Sequence, residues 1–559
     1  MAVVAASVVY LPALRNGFLW DDPFVLQQLR AIRSWTDLVV LPAVVPKFYY
    51  RPIVFVSYLF DRSLGGEAPF WFHFSVVALH VANTALVFLL AQRLWNDALV
   101  AGLAALLFAV YPTHVESVAW MAGRSDVIVA TFILVAMLLF SKRDAAWSAW
   151  LGGAAYLLGL LSKEMALAVV LLVPLADWLV VERLLYWRYV PLIAATVLYF
   201  LLRQSSLGTP VGGMATAQSL SQQGLDLIRA LGFYARQSVF PFQLSGYVPQ
   251  IPEGAVFVIA GVALLVAGAI AFVYARQRRQ SGIALLVAWY FLTLAPSLTV
   301  ILRRSASAVV ADRYLYVPSI ALCMVAAWAL ARTGARRSVP AAALAAGAAL
   351  SLVFAVKTWT YSQVWRDNLS FWSDVAAKVP GDALPQREVG IALLERGRTG
   401  EAEVALRHAL DLPSDTEGRV MALSNLGNVY RRTGRTDEAI DAFESALQAG
   451  PHPALYHNLG LTLISKIEKE QRAGDQDGVR RDIVKARQAF ESALTFEDKP
   501  GASAFLQQWS PAKSHSLLGQ VLFSLGDVAG ARQHLEAALR LEPTGPVADL
   551  TRQYMSRLK

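Results

Sequence analysis

Two patterns of apolar and polar positions divide the chain. Up to about residue 362, apolar residues come in long runs, with most charged residues between them. From about residue 383 they recur at the three-and-four spacing of amphipathic helices. A helix crosses the roughly 30 Å hydrocarbon core with about 20 mostly apolar residues. The first region holds about eleven candidate spans, at roughly 1–14, 70–92, 97–112, 126–141, 145–161, 165–181, 188–203, 254–275, 282–301, 314–331 and 339–357. Several are short, the first among them. That first run has no basic segment ahead of it and no small-residue cleavage site behind it, so it reads as a span rather than a removed signal.

The second region repeats itself with a period of about 34 residues. One copy reads Leu426, Gly427, Tyr430, Gly434, Ala439, Phe443, Ala446, Pro451. Another reads Leu518, Gly519, Leu522, Gly526, Ala531, Leu535, Ala538, Pro543. An earlier copy runs Val389, Gly390, Leu393, Gly397, Ala402, Leu406, Ala409. A further copy starts at Leu459 and Gly460 and resumes at Ala486, Phe490 and Ala493, with roughly 14 inserted residues between. This is the tetratricopeptide spacing. Small residues let two antiparallel helices approach closely, and larger apolar residues fill the seams. Such solenoids offer a concave surface to peptides or proteins, or act as spacers.

Composition sharpens the division. Hydrophobic residues make up 56% of the 559 and charged residues only 16%, with a mean hydropathy of +0.44. Soluble domains carry about a quarter charged residues. An ordinary soluble protein, a disordered chain and a disulfide scaffold are excluded, the last by the single Cys323. Residues 1–362 hold 26 Lys and Arg against 15 Asp and Glu; the remainder holds 24 against 26. The basic excess flanks apolar runs, which fits membrane anchoring rather than nucleic acid. Lys142 and Arg143, Arg183 and Arg188, Arg276, Arg278 and Arg279, and Arg332, Arg336 and Arg337 fall in alternate loops, the expected cytoplasmic set. The long loops at about 15–69 and 204–253 then face outward, although the first carries six Lys and Arg. With eleven spans the N-terminus is cytoplasmic and the repeats lie outside, on the periplasmic or another extracytoplasmic side.

Candidate chemistry gathers in the outward loops. Asp21 and Asp22 are adjacent carboxylates just past the first span. Like charges raise at least one pKa, which suits a general base; such a pair also suits a cation, or merely a helix cap. The second outward loop packs His114, Glu116, Arg124 and Asp126 between two spans. Ionisable groups at membrane depth are costly and mark function by default. The alternative there is a structural pair of Arg124 with Asp126 or Glu116. The spacing of His114 and Glu116 is too generic for a metal signature. Lys163 and Glu164 form a third turn, and Arg303, Arg304, Asp312, Arg313 and Tyr314 a later cluster. Arginine forks match phosphate with two parallel hydrogen bonds; headgroup anchoring is the plainer reading. His73, His80, Asn83 and Thr84 share one face of the second span, where polar groups bond to neighbouring helices. No nucleotide-binding loop or nucleophile elbow is present.

Taken in order, Phe18-Leu19-Trp20-Asp21-Asp22, Tyr50-Arg51-Pro52, Tyr111-Pro112-Thr113-His114-Val115-Glu116-Ser117, Gly123-Arg124-Ser125-Asp126, Leu161-Ser162-Lys163-Glu164 and Asp312-Arg313-Tyr314-Leu315-Tyr316-Val317-Pro318 precede the repeats. The set resembles the transmembrane and tetratricopeptide-repeat O-mannosyltransferases, within the polytopic GT-C glycosyltransferases. The resemblance implies an all-α fold: a GT-C-type membrane domain at 1–362, a connecting segment at 363–382, and a solenoid of about four repeats at 383–559. It implies a polyprenyl- or dolichyl-phosphate sugar as donor, typically mannose. The acceptor is a Ser or Thr hydroxyl of a protein on the outer face, which the repeats would hold.

An acid in the first outward loop is the base of the wider superfamily. Asp21 and Asp22 stand there, with Asp22 preferred. Arg51, His114, Glu116, Arg124, Asp126, Lys163, Glu164, Arg303, Arg304, Arg313 and Tyr314 follow as substrate-binding candidates. A divalent metal is left open. The chain has fewer repeats than the long eukaryotic members, and its Ala-, Arg- and Gly-rich usage suggests a bacterial inner-membrane protein. The resulting mechanism is direct displacement with inversion. Lysine and arginine stabilise charge on the leaving lipid phosphate. The competing readings are a repeat scaffold without catalysis, a lipid-linked-sugar transporter, and a related enzyme acting on lipid or polysaccharide.

Overall fold

The computed structural model describes residues 1–39, 49–143, 145–208, 219–303, 308–334, 340–496 and 509–558. Its regular elements among those residues are all helical. The chain forms two compact units, Met1–Phe371 and Trp372–Lys559.

The first unit begins with α1 (Ala2–Val9), α2 (Asp22–Ala31), α3 (Thr36–Val39), α4 (Pro52–Gly65), α5 (Pro69–Trp95) and α6 (Ala98–Ala109). It continues with α7 (Val115–Ala119), α8 (Ser125–Phe140), α9 (Ala146–Leu160), α10 (Ala168–Val181) and α11 (Val190–Leu207). Next come α12 (Leu220–Val239), α13 (Ala255–Gln277), α14 (Ser281–Arg303), α15 (Pro318–Gly334) and α16 (Pro340–Ser362), and α17 (Asn368–Lys378) contains the division.

Six stretches among the described residues are long and apolar enough to cross a membrane: Pro69–Trp95, Met121–Phe140, Glu164–Val181, Tyr186–Leu207, Ala255–Gln277 and Ser281–Leu302. A seventh forms if Ala98–Ala109 and Pro112–Ala119, bent by 48°, count as one. That is fewer than the eleven apolar runs. Ala2–Arg15 and Pro318–Arg332 are apolar but shorter, and α9 has 15 residues, about 22 Å at 1.5 Å per residue. The enclosure of the spans differs sharply. The apolar stretch of Met121–Phe140 is 72% buried and that of Ala255–Gln277 only 6%. The first sits at the heart of the unit; the second leaves most of its apolar surface open. α12 lies tight against α13, since a Cβ at Gly232 would strike the Phe257 carbonyl and one at Gly261 the Ile228 carbonyl.

The polar face of α5 is spent on packing. His80 Nδ1 meets the Tyr316 hydroxyl at 2.8 Å and Nε2 the Ala109 carbonyl at 3.1 Å. Asn83 donates to the Val127 carbonyl and to Tyr316.

The second unit stacks helix pairs: α18 (Ala383–Glu395) with α19 (Thr399–Asp411), α20 (Thr416–Arg432) with α21 (Thr436–Ala449), α22 (Pro453–Ala473) with α23 (Gln476–Thr495), and α24 (Pro511–Ser524) with α25 (Val528–Leu541). A last helix, α26 (Pro546–Arg557), packs on the end, with Thr551 bonded to Ser516 at 2.9 Å. In each pair a glycine of the first helix faces a large residue of the second. A Cβ at Gly427 would sit 2.8 Å from Phe443, and one at Gly460 2.7 Å from Phe490. The roughly 14 residues inserted in the third copy do not loop out. They lengthen α22 and α23 to 21 and 20 residues.

Candidate active site

The loop from α1 into α2 turns at Trp20, whose φ of +52° is a conformation few bulky residues adopt. Its surroundings hold it there. The indole stacks on Trp120 at 5.0 Å and on Phe371 at 5.6 Å, and the Trp20 backbone N–H donates to Asn368 Oδ1 at 3.0 Å. This turn places two neighbouring carboxylates in different surroundings. Asp22 is fully buried and accepts from the N–H of Leu19 and the N–H of Ala122, each at 3.0 Å. The second bond ties the first long loop to the next. Burial pushes the Asp22 carboxyl up to about 8, against those two donors. Asp21 is partly exposed, and its side chain accepts no hydrogen bond among the described residues. Burial raises its pKa as well, and the nearby Arg313 draws it back.

The second loop is built on broken helix. Pro112 lacks an N–H, and the chain bends there before α7. The turn back toward α8 closes on Gly123, where a Cβ would lie 2.5 Å from the Glu116 carbonyl. Buried Glu116 accepts from the Arg313 N–H at 2.9 Å and pairs with the Arg313 guanidinium. That guanidinium lies over the rings of Trp120, 5.5 Å away, and Tyr314, 5.1 Å away.

Two further ion pairs complete the cluster. Lys163 Nζ bonds both oxygens of buried Asp126, at 2.6 and 2.7 Å, and sits 5.2 Å from the Tyr314 ring. Burial brings the Lys163 ammonium down to about 8, with Asp126 opposing. Glu164 receives Arg51 on one oxygen and Arg203 on the other, each at 3.0 Å. Arg51 Nε is buried without an acceptor. Beside these, Asp312 accepts from Gln237 at 2.5 Å and from the Ser245 N–H at 3.2 Å, and burial raises its carboxyl to about 7.

The structure therefore brings Asp21, Asp22, Arg51, Glu116, Asp126, Lys163, Glu164, Arg313 and Tyr314 to one end of the helix bundle. His114 lies elsewhere, and Arg124, near enough to Asp22 to draw on its carboxyl, is engaged in a separate pair. His114 is fully buried among Phe108, Tyr111 and Tyr316, with Nε2 on Ser319 at 2.7 Å. Arg124 is fully buried and pairs with Asp61 at 2.5 Å, not with Asp126 or Glu116. It also donates to Ser57 and to the Phe72 carbonyl. Arg303 ends α14, and Arg304 lies outside the described residues.

Asp61 and Arg203 are the partners that sequence reasoning missed. Asp61 sits in a helix too polar to read as a span, and Arg203 at the end of one, where it passes for a flanking charge. Among the described residues no three His, Cys, Asp or Glu side chains group as a metal set. Chemically, the cluster offers one open carboxylate facing cations that are themselves held by carboxylates.

Comparison with known proteins gives two kinds of match. Tetratricopeptide-repeat family models match residues 381–451 and 512–544. Mouse protein O-mannosyl-transferase TMTC2 is 29% identical over 209 residues, covering 33% of this chain and 24% of that protein. Protein O-mannosyl-transferase Tmtc1 of Drosophila melanogaster is 32% identical over 185 residues, covering 31% and 22%. The chain thus spans less than a quarter of the length of these curated relatives. Among solved structures, MamA matches 31% of this chain and 86% of its own at 20% identity, with a TM-score of 0.24. The chain is an all-α membrane protein with tetratricopeptide repeats and protein O-mannosyl-transferase homologues at about 30% identity.

Proposed function

We propose that this protein is a membrane glycosyltransferase that moves a sugar, mannose first among the candidates, from a polyprenyl-phosphate donor to a Ser or Thr hydroxyl of an acceptor protein. The observation that carries the reading is the open Asp21 carboxylate beside Arg313. In this mechanism Asp21 takes the proton of the acceptor hydroxyl as its oxygen attacks the anomeric carbon. The bond to the lipid phosphate breaks on the opposite face, and the configuration inverts. Arg51, Lys163 and Arg313 hold the phosphate and stabilise the charge it gains on leaving. Their carboxylate partners Glu164, Asp126 and Glu116 fix their positions in advance.

Sequence alone favoured Asp22 as the base. In this reading its burial and two backbone donors favour Asp21 for that role instead. A carboxyl at about 8 is mostly protonated near neutral pH, and both its oxygens are already engaged. Asp22 is then a strut between the two loops, and His114 and Arg124 are supports rather than ligands. The catalytic unit comprises 1–362, joined through 363–382 to the repeats at 383–559. The repeats present acceptor protein on the extracytoplasmic side of a bacterial inner membrane, with the N-terminus in the cytoplasm.

The test is transfer of radiolabel from polyprenyl-phosphate mannose to membrane and secreted proteins by the purified protein. Asp21→Asn is expected to lower transfer by about 10²–10⁴-fold with unchanged Tm. Transfer that ignores Asp21, or no transfer from mannose or any other lipid-phosphate sugar, overturns the reading in favour of a scaffold or transporter.

A further inference from the structure

Asp312 and Arg313 open a single turn of 3₁₀ helix, Asp312–Leu315. So short a turn has few bonds of its own and poor geometry in them. Here the Tyr314 N–H meets the Ala311 carbonyl at 3.3 Å and the Tyr316 N–H the Arg313 carbonyl at 3.1 Å. What its side chains hold therefore decides where the turn sits. Arg313 is held by Glu116, through its N–H and its guanidinium. Asp312, only 2% exposed, binds a different set of elements. One oxygen takes the Gln237 amide of α12, and the other the Ser245 N–H. Gln237 is fully buried and also donates to the Gln243 carbonyl at 3.1 Å.

The segment that Asp312 grips reaches the other half of the site. Ser245 Oγ donates to the Tyr247 carbonyl at 2.8 Å, and the Val309 N–H to the Val248 carbonyl at 3.2 Å. The Tyr247 ring meets Trp20 edge to face, with centroids 6.1 Å apart, at the residue before Asp21. Gly246 has no room for a side chain: a Cβ there would lie 2.3 Å from Phe371 and 2.9 Å from Trp365. Ser245–Tyr247 thus touches the Asp21 turn and the Arg313 turn at once. Burial, then the like charge of Glu116, work against an ionised Asp312. An asparagine would spare that cost, but it has one acceptor oxygen, and its amide nitrogen would face a donor. A carboxylate alone matches two donors with two acceptors.

We propose that Asp312 is a positioning residue, which ties α12 and the Ser245–Tyr247 segment to Arg313 and so sets where that guanidinium meets a lipid phosphate. This rests on the phosphate role given to Arg313 above. Glu116 fixes the guanidinium, and Asp312 fixes the backbone from which it extends. Without Asp312 the turn is free to shift, and a displacement of about 1 Å is enough to spoil a site.

The experiment measures binding of tritiated undecaprenyl phosphate, the lipid phosphate without its sugar, to the full chain in detergent. It compares wild type, Asp312→Asn, Arg313→Gln and the double variant; Gln at 313 keeps a donor for Glu116. Each single change is expected to weaken binding by about tenfold. The double variant is expected to bind no worse than Arg313→Gln, because Asp312 acts only through Arg313. Gln237→Met removes a donor from the opposite side of the bond. It is expected to weaken binding severalfold with Arg313 present and not with Gln there, and it carries the test if Asp312→Asn fails to fold. Single losses that multiply to about a hundredfold in the double variant overturn the proposal in favour of a general structural role. Wild-type affinity in Asp312→Asn overturns it too. A wild type that does not bind the lipid phosphate removes the role of Arg313, and the proposal with it. The expected pattern of binding without any sugar transfer sinks the transferase reading alone and leaves Asp312 in its place.

Discussion

The two units handle charge in opposite ways. The membrane unit buries ion pairs in its interior: Arg124 with Asp61, Lys163 with Asp126, Arg313 with Glu116. In the repeat unit they are many and mostly at the surface, often three or four residues apart on one helix, as in Arg398 with Glu401 and Arg487 with Glu491. An exposed pair is worth little, because water and salt screen it. A buried pair is dear to break but nearly neutral to replace as a whole. The contrast implies that the buried charges of the first unit are retained for position, whereas those of the second serve solubility and local helix order.

The strongest way to break that comparison is Asp61→Ala. It leaves Arg124 buried without its counter-charge, at a cost of about 3–5 kcal/mol. The expected outcome is a protein that expresses poorly or melts far below wild type in detergent. Replacing both residues, as Asp61→Leu with Arg124→Met, is expected to recover most of the loss. A double variant as unstable as the single one would show that the pair does more than balance charge.

Next in size is Gly427→Val in the repeats. The new side chain meets the Phe443 ring, and overpacking of that kind costs about 1–3 kcal/mol. Limited proteolysis is expected to open residues 416–449 first while the membrane unit stays resistant.

Asp22→Asn sharpens the comparison through pH. A carboxyl raised to about 8 holds more protons in the folded than in the unfolded chain between about pH 4 and 8. Wild-type stability is therefore expected to fall as pH rises through that window. The Asn variant loses one of two acceptor sites, at about 1–3 kcal/mol, and its Tm is expected to vary less with pH over the same range. A wild-type Tm that rises over the window would mean that Asp22 is ionised in the fold. The smallest effect is expected from Arg398→Ala, whose pairing is exposed; its Tm should match wild type.

The repeats were legible because their geometry is local. A glycine at a fixed step before a large residue describes one helix pair, and the structure places Gly427 on Phe443 and Gly460 on Phe490. The apolar runs were legible too: the run at 97–112 stops as a helix at Ala109 and the run at 145–161 at Leu160, while several runs make helices too short to cross a membrane on their own. The ion-pair partners of the site were not legible. Asp61 and Arg124 are 63 positions apart, and Glu116 and Arg313 197, so no spacing rule joins them. Nor does adjacency separate Asp21 from Asp22. Their difference arises from the Trp20 turn and the Ala122 N–H, both products of the fold.

The long third repeat makes the solenoid uneven. α22 exceeds α24 by seven residues, 21 against 14, so the pair it forms stands about 10 Å proud of the next repeat. A regular stack can gain or lose a unit, or slip its partner along by one, with little change. A stack with one tall rung cannot. Its positions are individually addressed, and anything lying along its edge has a single register in which it clears the ridge.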